Sequence, residues 1–154
     1  MYSNELVCDI LEFIDCNFKR EISIEEIAYK FSFNRYYVMK RFKKEIGDSI
    51  VSYINKLRIY NSLNELKDTD NSILLISIDN GFNSLEYYSE IFKSIIGVSP
   101  RGYREFCFFR CRELDYNRIQ DNIIKLYNFI CGVREYKKNR KPKENPVLIR
   151  SIFR

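Results

Sequence analysis

The residues best suited to chemistry in this sequence lie between positions 35 and 44, where cations and hydrogen-bond donors recur at helical spacing. Val38, Phe42 and Ile46 would form the inward stripe of a helix, which leaves the polar positions facing outward. Outward donors of this kind can hydrogen-bond to base edges in the major groove of duplex DNA and to its phosphates. The predicted DNA contacts of this helix are Arg35, Tyr36, Met39, Lys40 and Lys43.

These side chains differ in what they could read. Lys40 can donate to guanine O6 and N7 or to a phosphate, Tyr36 can pack on a thymine methyl or donate its hydroxyl, and Met39 offers only apolar contact. Tyr37 follows Tyr36 directly, so one of the two tyrosines is expected in the core and the other outside, and we expect Tyr36 to face DNA. The phenylalanines that follow the buried stripe are predicted to be core rather than stacking platforms: Phe33, Phe42, Phe82 and Phe92.

Two short helices that meet at a tight turn would position these side chains. Ser23 and Glu26 have the spacing of a capping box, which predicts that a helix begins directly after Ser23. Asn34 is the expected N-cap of the second helix, and Gly47 is its expected C-terminal stop. The segment is therefore predicted to be a helix, a turn and a second, cationic helix.

Longer helices are predicted on both sides of this unit. Residues 3–18 are amphipathic, and their acidic face should point away from DNA. Residues 49–67 contain no Gly or Pro and should form one long helix. The inward positions of the first helix are predicted to be Leu6, Ile10, Phe13 and Ile14.

The chain then repeats itself, because a second pair of short helices with a similar turn is predicted over residues 73–96. Ile27 and Ile76 correspond at an offset of 49 residues, whereas Gly47 and Gly97 correspond at an offset of 50. One residue has therefore been added in the second turn.

The repeat places Glu86 and Glu90 where the first half has Tyr36 and Lys40. A carboxylate that faces phosphates is repelled unless it accepts from cytosine N4–H or pairs with a cation. We therefore expect this second helix to bind DNA weakly and the first half to dominate the affinity. The predicted weaker contacts are Asn83, Ser84, Leu85, Glu86, Ser89 and Lys93.

Residues 23–106 resemble the DNA-binding domain of AraC/XylS-type transcription regulators. The resemblance is carried by IEEIAYKF, FNRYYVMKRFKKEIG and YINKLRIYNSL, and then, in the family's order and spacing, by ILLISIDNGF, YYSEIFKSIIG and VSPRGYRE. It implies an all-α unit with two helix-turn-helix subdomains, at about 19–47 and 72–97, joined by a long linker helix. Such a unit places two recognition helices in successive major-groove segments. The resemblance also implies activation of transcription rather than repression, through contact with RNA polymerase.

Residues 107–154 exceed that domain, which we place at residues 1–106. One amphipathic helix is expected from about residue 115 to residue 131, ended by Gly132 and followed by a basic tail at residues 134–143. The tail is either a solvated segment or a flexible arm on the DNA backbone. The apolar face of this C-terminal helical extension would dock on its own domain, on a second copy in a weak homodimer, or on another protein. If Met1 is the native start, the chain resembles the short, monomeric activators of the family.

The composition argues against other classes of protein. The sequence has no His, no phosphate-binding glycine loop and no pair of carboxylates that suggests a cleft, so we expect neither an enzyme nor a bound cofactor. No apolar run approaches a membrane span, and the acidic N-terminus does not resemble a signal peptide, so a cytoplasmic protein is expected. The alternative function is a protein-interaction adaptor or antagonist that has lost DNA reading by both halves.

Charge and cysteines complete the sequence-based expectations. Residues 19–60 carry a net charge of +5 and residues 107–154 one of +7, which would concentrate the positive field that DNA feels in those segments. The five cysteines are an odd number without disulfide-like density, which favours reduced thiols. Cys8 and Cys16 are predicted in the core. Cys107, Cys111 and Cys131 could bind a metal or sense oxidants, but no His completes such a site, and we predict none.

Overall fold

The computed structural model describes residues 3–109 and 116–140, and every regular element within them is an α-helix. None of these helices has both the length and the apolar character needed to cross a membrane. The predicted all-α class is confirmed. The helices are α1 (Ser3–Asn17), α2 (Ile24–Lys30), α3 (Arg35–Ile46), α4 (Ile50–Asp68), α5 (Ile73–Asp79), α6 (Leu85–Ile96), α7 (Pro100–Phe109) and α8 (Tyr116–Arg140).

Side-chain caps begin the helices from α2 to α6. Ser23 Oγ accepts the Glu26 N–H at 3.0 Å, and Asn34 Oδ1 accepts the Tyr36 N–H at 2.8 Å, as predicted. The Glu26 carboxylate accepts from the Arg20 guanidinium at 2.6 Å, and this bond, with the charge of Arg20 and the Ser23 backbone N–H, lowers the pKa of Glu26. The remaining N-caps are Ser49, Ser72 and Ser84.

The two helix-turn-helix units share the same turn. The Phe33 N–H donates to Ala28 O, and the Phe82 N–H donates to Ser77 O, each at 3.0 Å. These phenylalanines are 49 residues apart, whereas the N-caps of α3 and α6 are 50 apart, so the added residue lies in the second turn as predicted. Both following helices end at a glycine in the left-handed region: Gly47 (φ 83°) and Gly97 (φ 92°).

The linker helix α4 packs against both units and lies at the centre of the core. Arg58 of α4 donates to Phe18 O and to Arg20 O, each at 2.7 Å. Both carbonyl groups lie in the connection between α1 and α2. The same guanidinium lies 5.5 Å from the ring centroid of Phe82 in the second turn. Burial lowers the pKa of Arg58. Arg58 therefore ties the two units together and is not available as a DNA contact.

Helix α8 packs against α1, α4 and α6. Of the three partners considered for this helix, the structure therefore shows its own domain. Helix α1, which packs against both α3 and α8, buries more than the predicted stripe, since Val7 and Leu11 are also fully buried. Tyr116 and Tyr127 have the helical spacing of the apolar face in the sequence, but in the structure they are about half exposed. The buried face of α8 consists of Ile119, Leu126, Ile130 and Val133.

The predicted end of α8 is wrong. The helix continues through the exposed Gly132 to Arg140, because its last turns are held by the domain: Lys137 pairs with Asp15 of α1 and Tyr136 donates to Glu45 of α3. Residues 134–140 are therefore helical and do not form a flexible arm. Residues 141–143, the end of the predicted basic tail, lie outside the described residues.

Two predicted core positions are on the surface. Phe33 is 43% exposed, and its ring stacks on Tyr37 with the ring centroids 5.2 Å apart, whereas Phe42, Phe82 and Phe92 are buried as predicted. Cys16 is exposed because it lies nearly opposite the fully buried Ile14 on the last turns of α1. Cys8 is buried as predicted, and Cys111 lies outside the described residues.

Candidate nucleic-acid interface

The outward face of α3 carries the side chains that the sequence predicts as the main DNA contacts. Val38 and Phe42 are fully buried and fix the rotation of the helix about its axis. The opposite face is then open to solvent, with Tyr36 73% and Met39 38% exposed. The other predicted contacts on this helix are also exposed: Arg35, Lys40 and Lys43.

Four of these side chains share one groove with the start of α4. The groove has a volume of about 420 Å³. Its α4 side brings in residues that the sequence reasoning missed, including Val51, which is 50% exposed. The N-cap at Ser49 signalled the start of α4 but did not show that it lies beside α3. The lining residues are Ile24, Tyr36, Met39, Lys40, Lys43, Ser49, Ile50 and Val51.

Arg35 is held at the N-terminal end of α3 by two surface contacts. Its Nη1 lies 2.7 Å from Glu25 Oε1, and its guanidinium carbon lies 5.6 Å from the ring centroid of Tyr36. Both partners of the ion pair are at least half exposed, so the pair is worth little in water. Arg35 can therefore leave Glu25 for a phosphate at small cost.

We expected one of the two adjacent tyrosines of α3 in the core and the other on the surface. In the structure both are exposed. Tyr37 is 41% exposed, and its ring is occupied by the stacking contact with Phe33. Tyr36 is the more open of the two and lines the groove with Lys40. Tyr36 therefore offers a ligand more surface than Tyr37, although the Arg35 guanidinium lies over its ring.

The equivalent face of α6 is different in charge. Glu86 and Glu90 are exposed there, with Lys93 one turn further on. Ser84 is used as the N-cap and accepts the Tyr87 N–H at 3.1 Å, while Ser89 is partly buried. Leu85 packs partly against the core and offers less surface than the other predicted positions. Asn83 is exposed.

Arg104 of α7, like Arg58, serves the fold. Its Nε donates to Leu66 O at 3.1 Å and its Nη2 to Asn71 O at 2.7 Å, so it caps the end of α4. From the sequence alone, Arg58 and Arg104 could each fix helices by internal contacts or contact DNA. Among the described residues no group of three or more His, Cys, Asp or Glu could hold a metal ion.

Comparison with known proteins gives the same architecture. A family described as "Helix-turn-helix domain" matches residues 22–105, more than half of the chain. The transcriptional activator RhaS of Mannheimia succiniciproducens is 33% identical over 95 residues, which are 62% of this chain and 35% of RhaS. The activator AarP of Providencia stuartii is 26% identical over 103 residues, which are 67% of this chain and 76% of AarP.

A solved structure has the same fold. The C-terminal domain of AraT, a response regulator from Geobacillus stearothermophilus, is 25% identical, with a TM-score of 0.64 over 72% of this chain and 92% of that domain. The matched segment spans only about a third of RhaS but about three quarters of AarP. With two capped helix-turn-helix units on one linker helix and a family match over residues 22–105, the chain belongs to the AraC-type helix-turn-helix family, whose members are DNA-binding transcription regulators and not enzymes.

Proposed function

We propose that this protein is a sequence-specific regulator that binds double-stranded DNA and places α3 and α6 in successive major-groove segments. The observation that carries the proposal is the open face of α3, where Tyr36, Met39, Lys40 and Lys43 line one groove while Val38 and Phe42 on the opposite face are fully buried. A helix with an exposed row of donors and cations fits the major groove. Binding to chromosomal DNA would place the protein in the cytoplasm.

In this proposal α3 supplies most of the affinity and specificity. Lys40 reads guanine or holds a phosphate, Tyr36 contacts a thymine methyl or a base edge, and Lys43 neutralises the backbone. The second helix contributes less, because Glu86 and Glu90 are exposed on the face that would approach the phosphates. Their repulsion would be offset in part by the backbone N–H groups at the start of α6.

The proposed partner for regulation is RNA polymerase, and the proposed direction is activation. RhaS and AarP are both named as activators. A surface suited to a protein partner is the outer face of α5, where Leu74, Leu75 and Ile78 are 44–55% exposed. Run-off transcription from a template with the bound sequence tests this, because Ile78→Ser should lower transcription without lowering DNA affinity. Equal transcription by Ile78→Ser and the wild type would remove this surface from the proposal.

The same exposed face of α5 is the one observation that favours the alternative function, an adaptor that acts through protein contacts alone. The apolar side of α8 does not support a homodimer in either case, because Ile119, Leu126 and Ile130 are covered by the chain's own domain. We therefore propose that the protein acts as a monomer.

Selection of bound fragments from random duplexes tests the proposed function. The wild-type protein should enrich one sequence, and Lys40→Ala should lose preference at one or two adjacent base pairs. Lys67→Ala is the matched control, because it removes an exposed lysine from the last turn of α4. A uniform loss over all sequences would assign Lys40 to the phosphate backbone. Failure of the wild type to enrich any duplex would overturn the proposal.

A further inference from the structure

Helix α8 touches the C-terminal ends of both α3 and α6. At α6, Asn122 Nδ2 donates to Ile96 O, the last residue of that helix, at 3.0 Å. At α3, Tyr136 Oη donates to Glu45 Oε2 at 3.2 Å. Asn122 and Tyr136 are 14 residues apart, which corresponds to about 21 Å along one α-helix. A single rigid element therefore reaches both recognition helices.

The contact at α3 is built into a partly buried network. Glu45 is 16% exposed, and its other oxygen accepts from Arg41 Nη2 at 3.1 Å within α3. Arg140 Nη1 lies 4.0 Å from the oxygen that Tyr136 contacts. Burial, followed by the charge of Glu45 and its hydrogen bond, raises the pKa of Tyr136 to about 12, so the hydroxyl stays protonated as a donor. The Glu45 carboxylate thus contacts Arg41 within α3 and both Tyr136 and Arg140 in the last turns of α8.

The middle of α8 is anchored on the linker helix. The ring of Phe129 lies 6.2 Å from that of Tyr53 and 4.4 Å from Lys56 Nζ, both on α4. Ile130 is fully buried between the two outer contacts. The helix therefore cannot pivot freely about either end.

Helix α3 packs against α1, α2 and α4, and Gly47, Asp48 and Ser49 join it to α4. Helix α8 adds a second connection between α4 and α3, because it packs on α4 and its Tyr136 and Arg140 approach Glu45 in the last turn of α3. This second connection lies outside the segment that matches the family, residues 22–105.

From these contacts we propose that α8 is a brace that sets the distance and angle between the two recognition helices, with Asn122 and Tyr136 as its positioning residues. The inference rests on the proposed function, because the fixed geometry matters through the spacing of the two DNA segments that the protein accepts. Two sites read from one side of a duplex are about 34 Å apart, and one inserted base pair rotates the second site by roughly a tenth of a turn. A braced protein should reject that change, whereas an unbraced protein should tolerate it.

The test uses a double variant that carries both Asn122→Ala and Tyr136→Phe. This variant is compared with the wild type and with a matched control. The control is Tyr127→Phe with Asn139→Ala, which makes the same types of substitution on α8 at exposed positions. Each protein is titrated with the selected duplex and with the same duplex carrying one inserted base pair between the two segments. Insertion should weaken binding by the wild type and the control roughly tenfold or more, the scale of one lost base contact, and binding by the double variant about threefold or less.

A second measurement needs no DNA, so it tests the brace separately from the proposed DNA-binding function. Residual dipolar couplings of the α3 and α6 amides report the relative orientation of these helices in the free protein. The wild type and the control should fit one common alignment, while α3 of the double variant should align less strongly than α6. Tyr136→Phe alone should give the same change in part, and because it keeps the ring it should leave the core packed. A common alignment in the double variant, or an unchanged penalty for the insertion, would overturn the brace, whereas absence of duplex binding by the wild type would overturn the proposed function alone.

Discussion

Replacing Gly81 with alanine should destabilise the protein far more than the same change at Gly47, although both glycines have left-handed backbone. Gly81 has φ 88°, and a Cβ added there would lie 2.6 Å from Phe18 O and 2.9 Å from Lys19 C. Gly47 has φ 83° and open space around it. The difference between the two variants therefore isolates the close approach between the second turn and residues 18 and 19, which follow α1.

The expected magnitudes follow from these two contributions. The left-handed conformation costs an alanine about 1–2 kcal/mol, and this is the whole expected effect at Gly47. At Gly81 the displaced backbone adds about 1–3 kcal/mol of overpacking, for a total of roughly 2–5 kcal/mol. The atoms in the way include Phe18 O, which Arg58 binds, so the clash also strains that hydrogen bond.

Gly132 supplies a control of opposite sign. It lies inside α8 with no atom within 4 Å of an added Cβ, so Gly132→Ala should raise the stability by about 0.8–1 kcal/mol. Urea unfolding followed by circular dichroism gives the three free energies of unfolding, with unchanged m-values as evidence that the comparison is valid. If Gly81→Ala were no less stable than Gly47→Ala, the close packing of the second turn against the segment that follows α1 would be refuted.

Three further predictions concern the site and its support. Glu86→Gln combined with Glu90→Gln should tighten DNA binding by roughly twofold to tenfold at low salt and change the preferred sequence, measured by fluorescence anisotropy and repeated selection; unchanged binding would favour the adaptor alternative. Lys40→Ala should lower the slope of log affinity against log salt by about 0.9 if Lys40 holds a phosphate, and leave it unchanged if it reads only a base. Asp48 is partly desolvated, which opposes ionisation, but hydrogen bonds from the Lys56 ammonium, a serine hydroxyl and a backbone N–H outweigh this and hold its pKa below 3.8. A lowered folded-state pKa means that this stabilisation is fully present well above the unfolded-state pKa of Asp48 and is lost as the pH falls through the folded-state pKa. Asp48→Asn should therefore flatten the acid limb of the stability curve by about 1 kcal/mol, and an identical limb in the variant would contradict the assignment.

Local sequence patterns predicted the helix starts well, for a physical reason. A cap at Ser23 or Asn34 satisfies backbone groups two or three residues away, so its signal is contained in the local sequence. The buried stripe of α3 likewise fixed which side chains face outward, since Val38 and Phe42 determine the rotation of the helix. Both kinds of inference needed no knowledge of the tertiary fold.

The extension was predicted less well because its structure depends on distant partners. Tyr136 contacts Glu45 across 91 residues of sequence, and Lys137 contacts Asp15 across 122. These contacts keep the chain helical beyond Gly132, where local propensity alone favours a stop. The α4 side of the DNA groove was missed for the same reason, since only the folded chain brings Val51 beside Lys40.

The central claim, that the open face of α3 meets DNA, is tested most directly by amide chemical shifts. The labelled protein is titrated with the selected duplex and, in parallel, with a scrambled duplex of the same length. We predict the largest shifts at the residues around Tyr36 and Lys40, smaller shifts at the start of α6, and none on the outer face of α5 at Leu74 and Ile78. Shifts centred on α5 or α8, with α3 unchanged, would contradict the account.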